Sequence, residues 1–355
     1  MLRDLRYLFA YTLPLSAFAA VYLQGAWSYA AVAYGFGVIP VLDALAPQAR
    51  ANDDGETTGR RLPTRFFDLL LYANVPLFYA LVAYALAAVA SGGLAAYEAV
   101  GVVLSVGIVA GSLGINVAHE LGHRPTRLEQ VLAQALLVPC LYTHFFIEHN
   151  RGHHKHVATP ADPATSRFGE SVYAFWVRSV WGSYRNAWRL ERERLAREGH
   201  AGAPALTWRN QMTRFTALQL AYLAAVGLAF GPLGLAAAVG IAVVGFLLLE
   251  SVNYIEHYGL LRRRLASGRY EAVSPRHSWN SEHEVGRIVL YELTRHADHH
   301  FKSNRPYQQL RFLEESPELP LGYPGSILLA LVPPLWYAVM NPRVRRFAAA
   351  AAAAA

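Results

Sequence analysis

Eight apolar runs, most of them near the ~20 residues that cross a bilayer as helix, constrain this chain more than any other feature. They cover Tyr7–Leu23, Trp27–Leu45, Phe66–Ala90, Leu94–Ala118, Leu128–Ile147, Phe215–Phe230, Leu233–Tyr254 and Leu321–Met340. The charged fraction of 16% lies well under the roughly 25% of soluble domains. The expectation is therefore an all-α integral membrane protein. The first run is followed at once by a second, with no small-residue cleavage pattern, so the N-terminus is expected to be retained.

The turns at Gln24–Ala26, Ser91–Gly93 and Gly231–Pro232 carry no charge, whereas Arg3, Arg6, Arg50, Arg60, Arg61, Arg65, Arg124, Arg127 and Arg262–Arg264 fall on the other side. By the positive-inside rule the arginine side is cytoplasmic. That places His119, His123 and His257 on one side. Leu128–Ile147 would carry the next histidines to the opposite side if it spanned. Pro139 interrupts it, and Tyr142, Thr143 and His144 make its second half less apolar, so it is expected to be re-entrant. Leu321–Met340, with three prolines, is read as interfacial or re-entrant. About six spanning helices remain, with both termini cytoplasmic. Residues 1–346 form one membrane-embedded catalytic domain in this reading, with a cytoplasmic cap mainly over 148–210 and 258–320. The stretch 168–209, rich in arginine and aromatics, reads as an amphipathic surface helix, and 347–355 is an alanine tail from which no function is read. The net charge of +7 is explained by arginines flanking membrane helices, so no nucleic-acid partner is expected.

Four motifs carry the chemistry: "HELGH" (His119, His123), "EHNRGHH" (His149, His153, His154), "NYIEHYG" (His257) and "RHADHH" (His296, His299, His300). Spacings of three or four residues put two imidazoles on one helical face, within reach of one ion. The adjacent pairs His153/His154 and His299/His300 point about 100° apart and cannot easily chelate the same ion, which implies two metals. Nine imidazoles also exceed the three or four ligands of a single zinc site. Glu120, Glu148, Glu256 and Asp298 accompany the clusters and are expected to orient rings by accepting their outer N–H. His144 is read as a hydrogen-bonded core residue, His156 as lying on a different face from His149 and His153, and His200, His277 and His283 as loop or supporting residues. Glu250 is either a supporting partner or a proton-path residue. The one cysteine, Cys140, rules out internal disulfides and argues against a thiolate-ligated metal.

In this order and spacing the motifs resemble those of the bacterial alkane 1-monooxygenases, membrane non-haem di-iron enzymes of the wider fatty-acid desaturase and hydroxylase superfamily. The histidine boxes point to the superfamily; "NYIEHYG" points to the alkane hydroxylases and the related xylene monooxygenases. The resemblance implies two iron ions on the nine histidines, O2 as co-substrate, and conversion of medium-chain n-alkanes drawn from the bilayer to 1-alkanols in a bacterial inner membrane. With one cysteine and no dinucleotide fingerprint, this chain needs a separate electron donor. The resemblance names rubredoxin, served by its reductase and NADH, as a separate protein or a fused C-terminal domain. Arg124, Arg151, Lys155 and Arg262–Arg264 are its expected docking face. The competing readings are a membrane fatty-acyl desaturase or hydroxylase, a zinc protease built on "HELGH" with Glu120 as base, and a metal transporter.

Overall fold

A computed structural model describes residues 2–52, 62–200, 202 and 204–353, and among these there is no strand, only isolated bridges. Arg60 and Arg61 of the expected positive side fall outside the described residues. The helices relevant to the site are α1 (Thr12–Leu23), α2 (Gly25–Leu45), α3 (Thr64–Ala90), α4 (Ala96–Gly122), α5 (Arg127–Leu137), α6 (145–156), α7 (Val172–Arg197), α8 (Gln211–His257), α9 (Glu284–Val289), α10 (His296–Phe301), α11 (Tyr323–Ala330) and α12 (Pro333–Ala353). Among the described residues α2, α3, α4 and α8 are long and apolar enough to cross a membrane, and the pair α11/α12, bent by 118°, makes up to a fifth candidate.

The turns foreseen from uncharged sequence are present, each at a backbone position with positive φ. Gln24 and Gly25 (φ 55° and 54°), Gly92 (72°) and Gly231 (65°) break the helices there, and Gly231 splits α8 into two rods. Glu98, one turn beyond, ties two of these breaks together by accepting from the N–H groups of Gly25 and Ala95, each at 2.7 Å. The fifth apolar run is not one long helix. α5 stops after 11 residues, Pro139 cannot continue the backbone ladder, and Leu141 turns the chain through a left-handed conformation (φ 50°) before α6.

The chain divides into two compact units, each drawn from three stretches. The first comprises Met1–Gly37, Leu62–Gly152 and Gly182–Leu249, and holds most of the apolar helices. With no hydrophobic drive between helices in lipid, small residues that let backbones approach supply the packing. A Cβ on Gly111 would lie 2.7 Å from the Gly245 carbonyl oxygen, and one on Gly245 would lie 2.9 Å from Ala110 Cβ, so α4 and the second rod of α8 meet along a glycine seam. The second unit comprises Val38–Arg61, His153–Trp181 and Glu250–Ala355. It holds the polar segment after α8 and a buried aromatic group in which Trp336 packs 5.4 Å from Tyr254 and 5.3 Å from Tyr258.

Candidate metal centre

In the first unit, α4 carries His119 on its last turn and His123 as its C-cap, after a widened π-type turn at Ala110–Ile115. Such turns shift helical register and cluster at functional sites. His149 comes from α6. Its Nε2 stands 3.0 Å from His123 Nε2, and the ring centroids of His119 lie 5.1 Å from His123 and 4.4 Å from His149. Phe145 stacks on His149 at 4.7 Å. Behind this trio Glu148 accepts from Asn186 Nδ2 at 2.9 Å. The glycine of "EHNRGHH" follows from that bond, because a Cβ on Gly152 would lie 2.5 Å from Glu148 Oε1 and 2.7 Å from Asn186 Nδ2. Arg151 of the same motif pairs with buried Glu191, which also takes Arg194 and the N–H of Gln211. Burial acts to raise that carboxyl; the Arg194 hydrogen bonds, the Gln211 N–H and Arg151 outweigh it and hold it below the usual carboxylate range.

In the second unit four buried histidines, His153, His257, His296 and His300, bring one ring nitrogen each within 4.8 Å of one another. His296 Nε2 lies 3.2 Å from His257 Nε2 and 2.9 Å from His300 Nε2, and His300 Nε2 lies 3.2 Å from His153 Nε2. Nitrogens held 2.0–2.1 Å from one ion at 90–110° lie about 2.9–3.4 Å apart, so the spacing is that of ligands around a cation. Neutral imidazoles carry one N–H each, and the tautomer of one ring is set from outside: Asp162 Oδ2 faces His153 Nδ1 at 2.9 Å. With the proton there, His153 Nε2 turns a lone pair inward. Burial first, then the neighbouring histidines, push His300 well below the ordinary imidazole range, which keeps it neutral and able to ligate. His154 and His299 form a separate close pair in this unit, Nε2 to Nε2 3.2 Å.

The fatty acid desaturase family matches residues 96–326, which contain every one of these histidines. Over 330 residues the chain is 44% identical to alkane 1-monooxygenase 2 of Pseudomonas aeruginosa, covering 91% of this chain and 85% of that one. This chain belongs to the alkane 1-monooxygenase family. It is 38% identical over 343 residues to alkane 1-monooxygenase 1 of Alcanivorax borkumensis (94% and 83% covered), and 29% identical over 348 residues to the xylene/toluene monooxygenase hydroxylase component of Pseudomonas putida (96% and 89% covered).

For this member of the alkane 1-monooxygenase family, helical spacing anticipated some neighbours and not others. His119/His123 and His296/His300 do converge as i,i+4 pairs, whereas His149 and His153, separated by a π-type turn, belong to different groups. The adjacent pairs divide as their ~100° divergence requires: His153 and His300 enter the quartet, while His154 and His299 face each other. Glu256 stands 3.2 Å from His296 Nε2 and accepts from the Tyr323 hydroxyl at 2.8 Å. Glu120 binds the Arg124 guanidinium. Asp298 is a correction: among the described residues it accepts from no histidine ring, and its Oδ2 instead holds Arg305 and the N–H of Arg311.

His144 is buried between the rings of Tyr142 and Tyr184, with no hydrogen-bond partner at Nε2 rather than the bonded state expected of it. His156 joins neither metal-capable group. His200 contacts Arg209, His277 contacts Ser274 and Glu271, and His283 contacts Ser281. Glu250 is buried beside Asn253. The expected docking face is also revised. Arg124 and Arg151 spend their charges on Glu120 and Glu191, Arg262 donates to the backbone of Glu271 and Lys155, and Arg263 pairs with Glu271. The residues that sequence reading missed are Asp162, Asn186 and Tyr323. Each lies outside the motifs and reaches them only through folding; no spacing rule points to them.

Proposed function

We propose that the protein hydroxylates the terminal methyl group of medium-chain n-alkanes, RCH3 + O2 + 2 e⁻ + 2 H⁺ → RCH2OH + H2O, at two iron ions held by the nine histidines. The observation that carries this reading is the quartet of buried Nε2 atoms at ligand spacing, in a chain of the alkane 1-monooxygenase family. The quartet is a complete donor set for one ion. When bound, the irons supply the binding and reductive activation of O2. The chain's own part is to keep His300 neutral by burial, to fix the His153 tautomer through Asp162, to hold Glu256 in place through Tyr323, and to exclude water with apolar side chains. All-imidazole ligation suits several metals; iron is favoured by the family.

Electrons come from rubredoxin in this reading. Among the described residues, Lys155, Arg262 and Arg264 of the expected docking face have no carboxylate ion pair; Arg262 and Arg264 donate to backbone carbonyls. The chain sits in the bacterial inner membrane with six passes and a cytoplasmic metal site, supported by the arginine-poor turns and by the break of α8 into two rods. Alkane enters from the bilayer along an apolar path between the helices. The test is metal analysis of detergent-purified protein, then turnover of octane with rubredoxin, its reductase and NADH. Two irons per chain and 1-octanol are expected. A single zinc, or product only from acyl substrates or only from xylene, would overturn the proposal.

A further inference from the structure

The second unit buries four charged side chains against one another, Glu282, Arg287, Glu292 and Arg295, immediately before the third histidine motif. Arg295, the residue preceding His296, has a donor for each direction. Its Nε bonds Glu282 Oε2 at 3.0 Å, Nη1 bonds the Leu310 carbonyl at 2.7 Å, and Nη2 reaches the carbonyls of Ala49 at 3.0 Å and Ala51 at 3.3 Å. The stretch it grips is stitched from the other side as well. The Ala49 N–H donates to the Glu282 carbonyl at 3.0 Å, and Asn52 exchanges two hydrogen bonds with the backbone of Phe312. One guanidinium therefore joins three separate segments, one of them about 245 residues away in sequence, to the first residue of α10.

Two facts argue that this arrangement serves position rather than stability alone. A buried ion pair seldom stabilises a fold more than apolar residues of the same volume would, and its best-supported use is to specify one arrangement. The backbone entering α10 also needs outside support. Tyr291 and Glu292 are consecutive non-glycine residues in left-handed conformation (φ 51° and 60°), which L-residues adopt at a cost. Glu292 is retained there by Arg287, through its side chain at 3.2 Å and its N–H at 2.8 Å.

We infer that Arg295, with Glu282 as its counter-charge, is a positioning residue for His296, His299 and His300. It locks the α10 backbone against the segments 49–52 and 310–312 so that these rings converge with their partners. The inference rests on the reading that these histidines hold metal. Lysine keeps the charge but has no planar fork to bridge a carboxylate and three carbonyls, so R295K should misplace the ligands without removing one.

The test is titration of metal-free, detergent-purified full-length protein with Co2+, whose visible absorption bands report ligand geometry independently of turnover. The variants are R295K and E282Q, with R263K as a control at an exposed ion pair. R295K is expected to weaken at least one equivalent of Co2+ 10–100-fold, as loss of an outer support does at metal sites, and to change the bands; R263K should superimpose on the parent. Parental affinity and bands in R295K overturn the inference, even if thermal unfolding is lowered, because the pair would then be structural only. If R295K does not fold, E282Q, of the same shape, decides by the same readout. A parent protein that binds no Co2+ overturns the metal reading itself, and this inference with it.

Discussion

Replacing Asp162 by asparagine isolates one contact at the quartet. In the native site Oδ2 accepts from His153 Nδ1 at 2.9 Å and from the Thr165 hydroxyl at 2.6 Å, while Oδ1 accepts from the Ala164 N–H at 3.1 Å. All three partners require an acceptor if His153 is to ligate through Nε2, and asparagine offers one acceptor and one NH2 group. If its oxygen faces His153, the NH2 meets the Ala164 N–H, donor against donor. If its NH2 faces His153, the ring must accept at Nδ1 and carry its proton on Nε2, the nitrogen aimed at the cation. Either arrangement weakens metal binding. Loss of such an outer partner lowers affinity roughly 10–100-fold, or about 1.4–2.7 kcal/mol. The assay is Fe2+ or Co2+ titration of metal-free protein by calorimetry, with turnover measured at saturating metal. D162N should lose affinity for one of two equivalents and regain part of its activity at high metal. Parental affinity at both equivalents would refute the claim that Asp162 sets the His153 tautomer.

Gly152→Ala should lower the unfolding temperature, with a destabilisation of about 1–3 kcal/mol, because the new methyl would displace Glu148 or Asn186 from their bond; an unchanged melting curve would show that the pair can move aside. Glu191→Gln should cost about 2 kcal/mol at neutral pH through weakened charge-assisted bonds to Arg151 and Arg194. The native carboxyl lies below its unfolded value of 4.5, so its stabilisation is present above that pH and is lost as pH falls through the lower folded value. The gap between E191Q and parent in thermal unfolding should therefore close on acidification below about 4.5. A gap that stayed constant with pH would place the effect elsewhere.

Helix-level features were legible because their causes are local. A run of twenty apolar residues declares a helix in lipid, uncharged Gly- and Pro-containing breaks declare turns, and three- or four-residue spacing declares a shared face. On those grounds the breaks at Gly92, Gly231 and Pro139 were visible, as was the divergence of His153 and His154 by about 100°. A π-type turn is not local in that sense. It arises where packing forces an extra residue into a helix, so the parting of His149 from His153 could not be read from their four-residue spacing.

Charge partners were the least legible. Arg151 read as part of a basic face in a linear sequence because Glu191, 40 residues away, had no visible claim on it, whereas the Glu120–Arg124 pair has the i,i+4 spacing that a helix makes legible. Asp298 read as a ring partner because it sits between histidines of the third motif, yet its carboxylate is turned to Arg305 and the Arg311 backbone.

What the sequence determined by itself is the set of helices, their breaks and the identity of the imidazoles, since periodicity and steric limits act within a few residues. Tertiary structure alone decided which rings meet and what orients them. His153 meets His300 across 147 residues and His154 meets His299 across 145, and Asp162, Tyr323 and Arg295 act through contacts that exist only after the chain has folded. Hydrogen bonds of about 3 Å and nitrogens gathered around one point are properties of relative position, and that is set by packing between segments remote in sequence.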